Sequence, residues 1–225
     1  MLAIPDRVDR PDIRSTRQKG RAAYLTAKRL MDVLFSLAAL LFLLPAIAVV
    51  ALALLIQDGR PIFYRHRRIG RDGREFGCLK FRTMRRDADA VLAELLERDE
   101  DIRREWTENQ KLKRDPRVHR VGQFLRNTSL DEIPQFLNVL RGEMSIVGPR
   151  PIITDEVPHY GENFVFYLSM TPGVTGLWQV SRRSDTSYSA RVAFDVDYFR
   201  ARSINLDLRI MLQTVAVVLF AKNVG

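Results

Sequence analysis

The sequence predicts an α+β protein, mostly helical with a few short strands, carried on one N-terminal helix embedded in a membrane. Three observations predict it. Val33 to Ile56 is a run of 24 residues without a charge. Two extended segments, Pro61-Ile62-Phe63-Tyr64 and 76–84, flank the Gly-rich turn Ile69-Gly70-Arg71-Asp72-Gly73, the pattern of short strands. Apolar residues then recur at helical spacing over 87–108. At 225 residues the chain fits one domain and an appendage. The divisions expected are a flexible basic tail over 1–27, a membrane helix over 28–57 and a cytoplasmic domain over 58–225.

The net charge of +9 and a pI near 10.1 point to anionic partners. Cys78 is the only cysteine, which excludes an intramolecular disulfide and a cysteine-based zinc site. With only His66, His119 and His159 besides, any metal expected here is a hard cation on carboxylates. No helix-turn-helix, zinc finger or aromatic-interleaved basic strand is evident, so the positive charge is not read as a nucleic-acid site.

Residues 1–29 carry eight Lys or Arg against three Asp, a tail suited to solvent or to anionic lipid. The apolar run that follows would form a helix roughly 36 Å long, enough to cross a hydrocarbon core of ~30 Å. Both flanks are basic, with Lys28 and Arg29 before and Arg60, Arg65, Arg67 and Arg68 after. Positive charge marks the cytoplasmic side. A helix that enters, bends at Pro45 and returns satisfies both flanks; a tilted single span satisfies only the length.

From 57 to 86 there are ten Lys or Arg and three acids. Within this basic stretch Lys80 and Arg82, flanking Phe81, are candidates to line a phosphate site. Residues 87–108 reverse the charge, with nine acids against three arginines, and read as an amphipathic helix with a solvated acidic face.

Asp131 and Glu132 are the candidate chemistry. Ser129-Leu130-Asp131-Glu132 has the form of a capping box, with Ser129 as N-cap. Pro134 argues for a later start, with Asp131 as N-cap. Either placement sets the two carboxylates at the positive end of a helix dipole, which favours their ionised forms. Capping alone is the plain explanation of such a pair. Arg126 lies upstream, however, and Gly148-Pro149-Arg150-Pro151 stiffens the backbone around a second guanidinium, whose planar fork suits phosphate. Ionised carboxylates, a divalent cation and arginines are the parts of a phosphoryl-transfer site.

Together these passages resemble the bacterial sugar transferases, monotopic polyprenyl-phosphate glycosyl-1-phosphate transferases. The resemblance rests on Lys80-Phe-Arg-Thr-Met84, Ser129-Leu-Asp-Glu-Ile-Pro-Gln135, the stretch from Asn138 to Pro151, and Pro172-Gly-Val-Thr-Gly-Leu-Trp-Gln-Val180, and it extends over roughly 25–220. The passages at Trp178–Ser181 and Asp185–Tyr188 most resemble short exopolysaccharide-initiating members. The resemblance implies transfer of a sugar 1-phosphate from a UDP-sugar to undecaprenyl phosphate with release of UMP, the sugar being galactose or otherwise glucose. It implies Asp131 as nucleophile and Glu132 as its partner at a Mg²⁺ (or Mn²⁺) site. Arg126 and Arg150 would hold phosphates, Lys80 would belong to a basic strand, and a re-entrant helix would break at Pro45. It also implies residence at the cytoplasmic face of the bacterial inner membrane, in contact with lipid. Homo-oligomerisation is left open. Ser181-Arg182-Arg183 departs from the family pattern, where glycine commonly precedes the arginine.

Among the remaining residues, Trp178 either packs or stacks on substrate. Asp195 and Asp197 are expected on the surface of a helix. Leu208 to Ala221 is too short to span and is expected to pack on the domain or lie in the lipid interface. Two rival functions are a membrane-tethered basic binding protein without catalysis and a glycosyltransferase that releases UDP.

Overall fold

The computed structural model describes residues 13–109, 112, 114–181 and 187–220. Helix α1 runs from Ile13 to Asp58. It therefore begins well before residue 28, inside the stretch expected to be a flexible tail; residues 1–12 lie outside the described residues. Its upstream turns are held by distant partners, since Tyr24 Oη and Lys28 Nζ each donate to Asp207 Oδ2 at 3.0 Å. The expected break at Pro45 does not interrupt the element. Pro45 is exposed within one continuous helix, which goes on past the backbone bond that the proline cannot donate.

One stripe of α1 is buried in two separated stretches, at Lys28, Asp32 and Ser36 and again at Val50 and Leu54, at multiples of three and four residues. The opposite face exposes Leu30, Leu34, Leu37, Leu41, Phe42, Val49, Leu52 and Ile56. Only 11 % of the most apolar stretch is buried, so this is no core helix of a soluble domain.

Strands β1 (Phe63–Ile69) and β2 (Glu75–Phe81) form an antiparallel hairpin, closed by a 3-10 turn at Arg71–Gly73 in which Asp72 is left-handed. The acidic region is two helices, α2 (Ala88–Arg98) and α3 (Glu100–Asn109), rather than one. Asp99 separates them: its carboxylate accepts from the amides of Asp101 and Ile102, and this local bond competes with helix continuation. Helix α4 (Arg120–Asn127) leads through a 3-10 turn, Leu130–Glu132, into α5 (Gln135–Arg141). Strands β3 (Ser145–Val147) and β4 (Gly173–Thr175) pair in parallel. Between them lie 3-10 turns and the short helix α6 (Phe164–Leu168). Helices α7 (Leu177–Ser181), α8 (Tyr188–Ala201) and α9 (Ile204–Phe220) complete the fold. α9 buries Ile210 and exposes Leu208, Leu212 and Val215.

The core falls into three clusters. Val139, Met144, Ile146, Val147, Tyr198 and Ile210 bring α5, β3, α8 and α9 together. Ile69, Ile152, Tyr160, Tyr167 and Val192 fill the region under β1 and α8. The third bears on function: Val50 and Leu54 of α1 pack with Phe81, Leu125 and Ile133. The apolar helix is thus seated on the turn that carries the acidic pair. Each of these buried side chains contributes roughly 1.5–3 kcal/mol.

Candidate active site

The hairpin register decides which basic residues can meet the acidic pair. Lys80 faces Tyr64, Cys78 faces His66 and Phe76 faces Arg68; directly opposed residues share a face. Lys80, Cys78, His66 and Arg68 therefore project to one side. The outer edge of β2 is satisfied by Asn138, fully buried in α5, which accepts from Leu79 N at 2.9 Å and donates to Gly77 O at 2.8 Å. An unpaired strand edge in the interior would be costly. Asn138 removes that cost and fixes α5 against β2, so Lys80 meets the residues just ahead of α5.

Those residues are Asp131 and Glu132. They do not form the expected capping box. Ser129 adopts a left-handed conformation with φ 57° and makes no capping bond. The pair lies in a 3-10 turn and α5 starts at Gln135, because the bonds Phe136 N to Ile133 O and Leu137 N to Pro134 O postpone the α-helix past Pro134. Glu132, freed from capping, takes the Lys80 ammonium at 2.6 Å, and Asp131 lies 3.6 Å from the same nitrogen. Asp131 keeps 11 % side-chain exposure, enough to be reached and little enough to be desolvated. Burial, with Glu132 beside it, pushes the Asp131 carboxyl above its ordinary value, although Lys80 and Arg126 oppose this. Burial acts against Glu132 too, but Lys80 outweighs it and holds Glu132 below its ordinary value.

Arg150 reaches the Glu132 side of the pair from the Gly148–Pro151 loop, in a cleft it lines with Lys80, Glu132, Arg68, Gln135 and Gln179 and that Asp131 does not line. The loop is pinned by backbone. Gly148 N donates to Thr175 O and Gly173 N to Pro149 O, and a methyl on either glycine would overlap the other segment. The motif glycines are required by this close approach. Side chains complete the clamp: Arg191 Nη2 donates to Arg150 O and Arg68 Nη1 to Pro151 O, each at 3.2 Å. Glu156 pairs with both arginines, at 3.0 Å from Arg191 and 3.4 Å from Arg68.

Arg126 does not line this cleft. It is held by Thr83, Nε to Oγ1 at 2.9 Å, near enough to Asp131 that the two charges interact. Arg82 goes elsewhere. The strand ends at Phe81, and the Arg82 guanidinium turns back to the end of α1, donating to Asp58 Oδ2 at 2.8 Å and Gly59 O at 2.9 Å. Asp197 is exposed as expected, whereas Asp195 is buried and accepts from Tyr160 Oη at 2.7 Å. Trp178 packs beside the Arg191 guanidinium, 5.6 Å from ring centroid to carbon. The departure at Arg182 lies outside the described residues. Arg68, Asn138, Glu156 and Arg191 were not singled out as site residues from sequence; Arg68 carried a signal in its basic flank and Asn138 in the passage that it opens.

Comparison with known proteins bears on this arrangement. Residues 23–221 match the model of the bacterial sugar transferase family. The chain belongs to that family. It is 48 % identical over 196 residues, 87 % of each chain, to the exopolysaccharide production protein ExoY of Rhizobium meliloti (strain 1021). It is 50 % identical over 163 residues to the undecaprenyl-phosphate galactose phosphotransferase of Salmonella typhimurium, covering 72 % of this chain and 34 % of that longer one. It is 38 % identical over 207 residues to the UDP-glucose:undecaprenyl-phosphate glucose-1-phosphate transferase of Xanthomonas campestris pv. campestris, covering 88 % and 40 %.

Proposed function

We propose that this sugar transferase moves a sugar 1-phosphate, galactose 1-phosphate before glucose 1-phosphate, from a UDP-sugar to undecaprenyl phosphate and so begins an exopolysaccharide. The observation that carries the reading is the Lys80–Asp131–Glu132 constellation beside Arg150, on a turn seated against the apolar helix. The relatives named for galactose and glucose transfer supply the substrate class.

In the first step an Asp131 oxygen bonds to the β-phosphorus of the UDP-sugar while the bond to the bridging oxygen breaks, and UMP leaves with that electron pair. In the second, a phosphate oxygen of undecaprenyl phosphate attacks the same phosphorus and releases the Asp131 carboxylate. Desolvation raises the energy of the Asp131 anion before attack, and Lys80 opposes that effect. Arg150 and Arg68 are placed to take phosphate oxygens in the cleft. Asp131 and Glu132 fit Mg²⁺, which takes one or two carboxylates and completes its shell with water and substrate phosphate. When bound, the cation neutralises charge developing on the leaving phosphate.

The site is read as lying at the cytoplasmic face of the inner membrane. Supporting this, α1 rests on the same domain near both ends of its apolar stretch, at Asp32 and at Leu54, while its outer face is apolar. A continuous helix held to one domain at both ends of its apolar stretch keeps both ends on one side of the membrane, with its apolar face against lipid. Tags on the two termini should be protected together in sealed right-side-out vesicles and exposed together in inverted ones; opposite accessibility refutes it.

The activity test offers the detergent-purified protein a panel of UDP-sugars, Mg²⁺ and undecaprenyl phosphate. UMP release with UDP-galactose is the expected result, abolished by chelator and by Asp131→Ala. Release of UDP would instead mark a glycosyltransferase.

A further inference from the structure

A larger cavity lies away from the acidic pair, between the start of α1, β3 and the end of α8, with a volume of about 260 Å³. At ~30 Å³ per water it has room for roughly eight waters, or for a phosphate group and its substituents. Its wall is basic, with Lys28, Arg29, Arg71 and Arg202 alongside Tyr24 and Tyr198.

The four cations are not equally compensated. Lys28 is neutralised by Asp207, a fully buried carboxylate that also accepts from Tyr24 at 3.0 Å and Tyr198 at 2.6 Å. Arg29 is engaged by the C-terminal carbonyls of α5, at 2.5 Å from Val139 O and 2.8 Å from Leu140 O. Asp32, the lining carboxylate, accepts from Ile146 N at 2.9 Å. Among the described residues Arg71 pairs only with Asp72, 3.6 Å away and well exposed, a geometry that contributes little. Arg202 lies 4.3 Å from the ring of Phe199 and makes no ion pair among the described residues. Burial first, then the charges of Arg21 and Arg71, hold its guanidinium below its ordinary value, against the opposing effect of Tyr24 and Tyr198. Two guanidiniums on a concave wall, neither of them ion-paired with a buried carboxylate among the described residues, are suited to a phosphate.

Position separates a lipid phosphate from a free one. Arg202 stands just ahead of α9, which exposes Leu208 and Leu212; Lys28 and Arg29 stand just ahead of the exposed Leu30, Leu34 and Leu41 of α1. Two apolar helix faces thus begin at the rim of one basic cavity, and a rim of that kind sits at headgroup depth. We propose that this cavity binds the phosphate headgroup of an anionic membrane lipid, apart from the substrate cleft, and so fixes α1 and α9 at the bilayer surface. The proposal rests on the monotopic reading of α1 and not on the chemistry at Asp131.

The test follows the melting temperature of the full-length protein in detergent during separate titrations with phosphatidylglycerol, phosphatidylcholine and inorganic phosphate. Phosphatidylglycerol should raise it saturably and the other two should not. Arg202→Gln and Arg71→Gln should each weaken that response about fivefold, with UMP release in detergent unchanged. Arg104→Gln, the same charge loss on the exposed face of α3, should respond as the wild type does. The lipid site is overturned if the Arg202→Gln/Arg71→Gln double variant titrates like the wild type, or if Arg104→Gln weakens the response as much as Arg202→Gln. A full effect from inorganic phosphate alone overturns the lipid assignment. If terminal tags report opposite sides while the response still depends on Arg202, the topology falls and the headgroup site stands.

Discussion

The ammonium of Lys80 lies 2.6 Å from a carboxylate oxygen of Glu132, against 3.6 Å for Asp131. This unequal division sets the two acids apart: Glu132 is held below its ordinary value, while burial leaves Asp131 above it. A buried carboxylate that must act as an anion loses activity as pH falls through its raised value. Lys80→Met removes the main opposition to burial, so the acidic limb of kcat/KM should move to higher pH. On that limb, activity should fall about tenfold for each pH unit by which the limb moves, a loss larger at pH 6 than at pH 8. Lys80→Arg should hold the limb near its original place. An unmoved limb in Lys80→Met would mean that Asp131 does not set it.

The same raised value has a consequence for stability. The native state binds the Asp131 proton more tightly than the unfolded chain does, so this group contributes stability at low pH that is lost as pH rises through the folded value. At neutral pH the ionised carboxylate therefore opposes folding. Asp131→Asn keeps the shape and removes the charge. It should abolish UMP release and raise the melting temperature at pH 7.5, by roughly 2–4 °C for each kcal/mol recovered. The advantage should shrink as the pH falls below the folded value, where Asp131 is protonated in the native state. A lower melting temperature across the whole range would contradict the assignment.

What the sequence disclosed and what it hid divide along one physical line. The apolar stretch of α1, the β1–β2 hairpin and the stiff loop around Arg150 were legible because period, glycine and proline act locally. The upstream extension of α1 was hidden because its partner, Asp207, is 183 residues away from Tyr24. Alternation along β2 put Arg82 beside Lys80, yet the strand stops at Phe81; the basic residue that does share the face of Lys80 is Arg68, and only the cross-strand register reveals it. The capping pattern at Ser129 competed with Pro134, and the proline prevailed by delaying α5. Asp195 resembled a surface acid until Tyr160 covered it.

Arg82 offers a clean separation of structure from catalysis. Its guanidinium ties β2 to the end of α1 through Asp58, whose side chain remains 25 % exposed. Breaking a partly buried pair should cost about 2 kcal/mol, below the 3–5 kcal/mol of a fully buried one. Arg82→Met is accordingly expected to lower the melting temperature by several degrees with KM for the UDP-sugar unchanged. A raised KM without destabilisation would return Arg82 to the phosphate site.

Glu156 is the residue whose removal should be felt most indirectly. One oxygen accepts from Arg191 at 3.0 Å; the other accepts from Ile153 N at 2.9 Å and meets Arg68 at 3.4 Å. Burial disfavours its charge, but the Ile153 amide and the two arginines prevail, so Glu156 stays ionised below the ordinary carboxylate range. Both arginines hold carbonyls of the Arg150 loop. Glu156→Gln retains the volume but turns one acceptor into a donor facing a guanidinium, which forces one clamp to release. Arg150 then loses its fixed direction while Asp131 and Lys80 stay in place. The expected result is a KM for the UDP-sugar raised about tenfold, equivalent to 1.4 kcal/mol, with kcat within about twofold. A fall in kcat at constant KM would show instead that Glu156 acts on the chemical step, and would detach the Arg150 loop from donor binding.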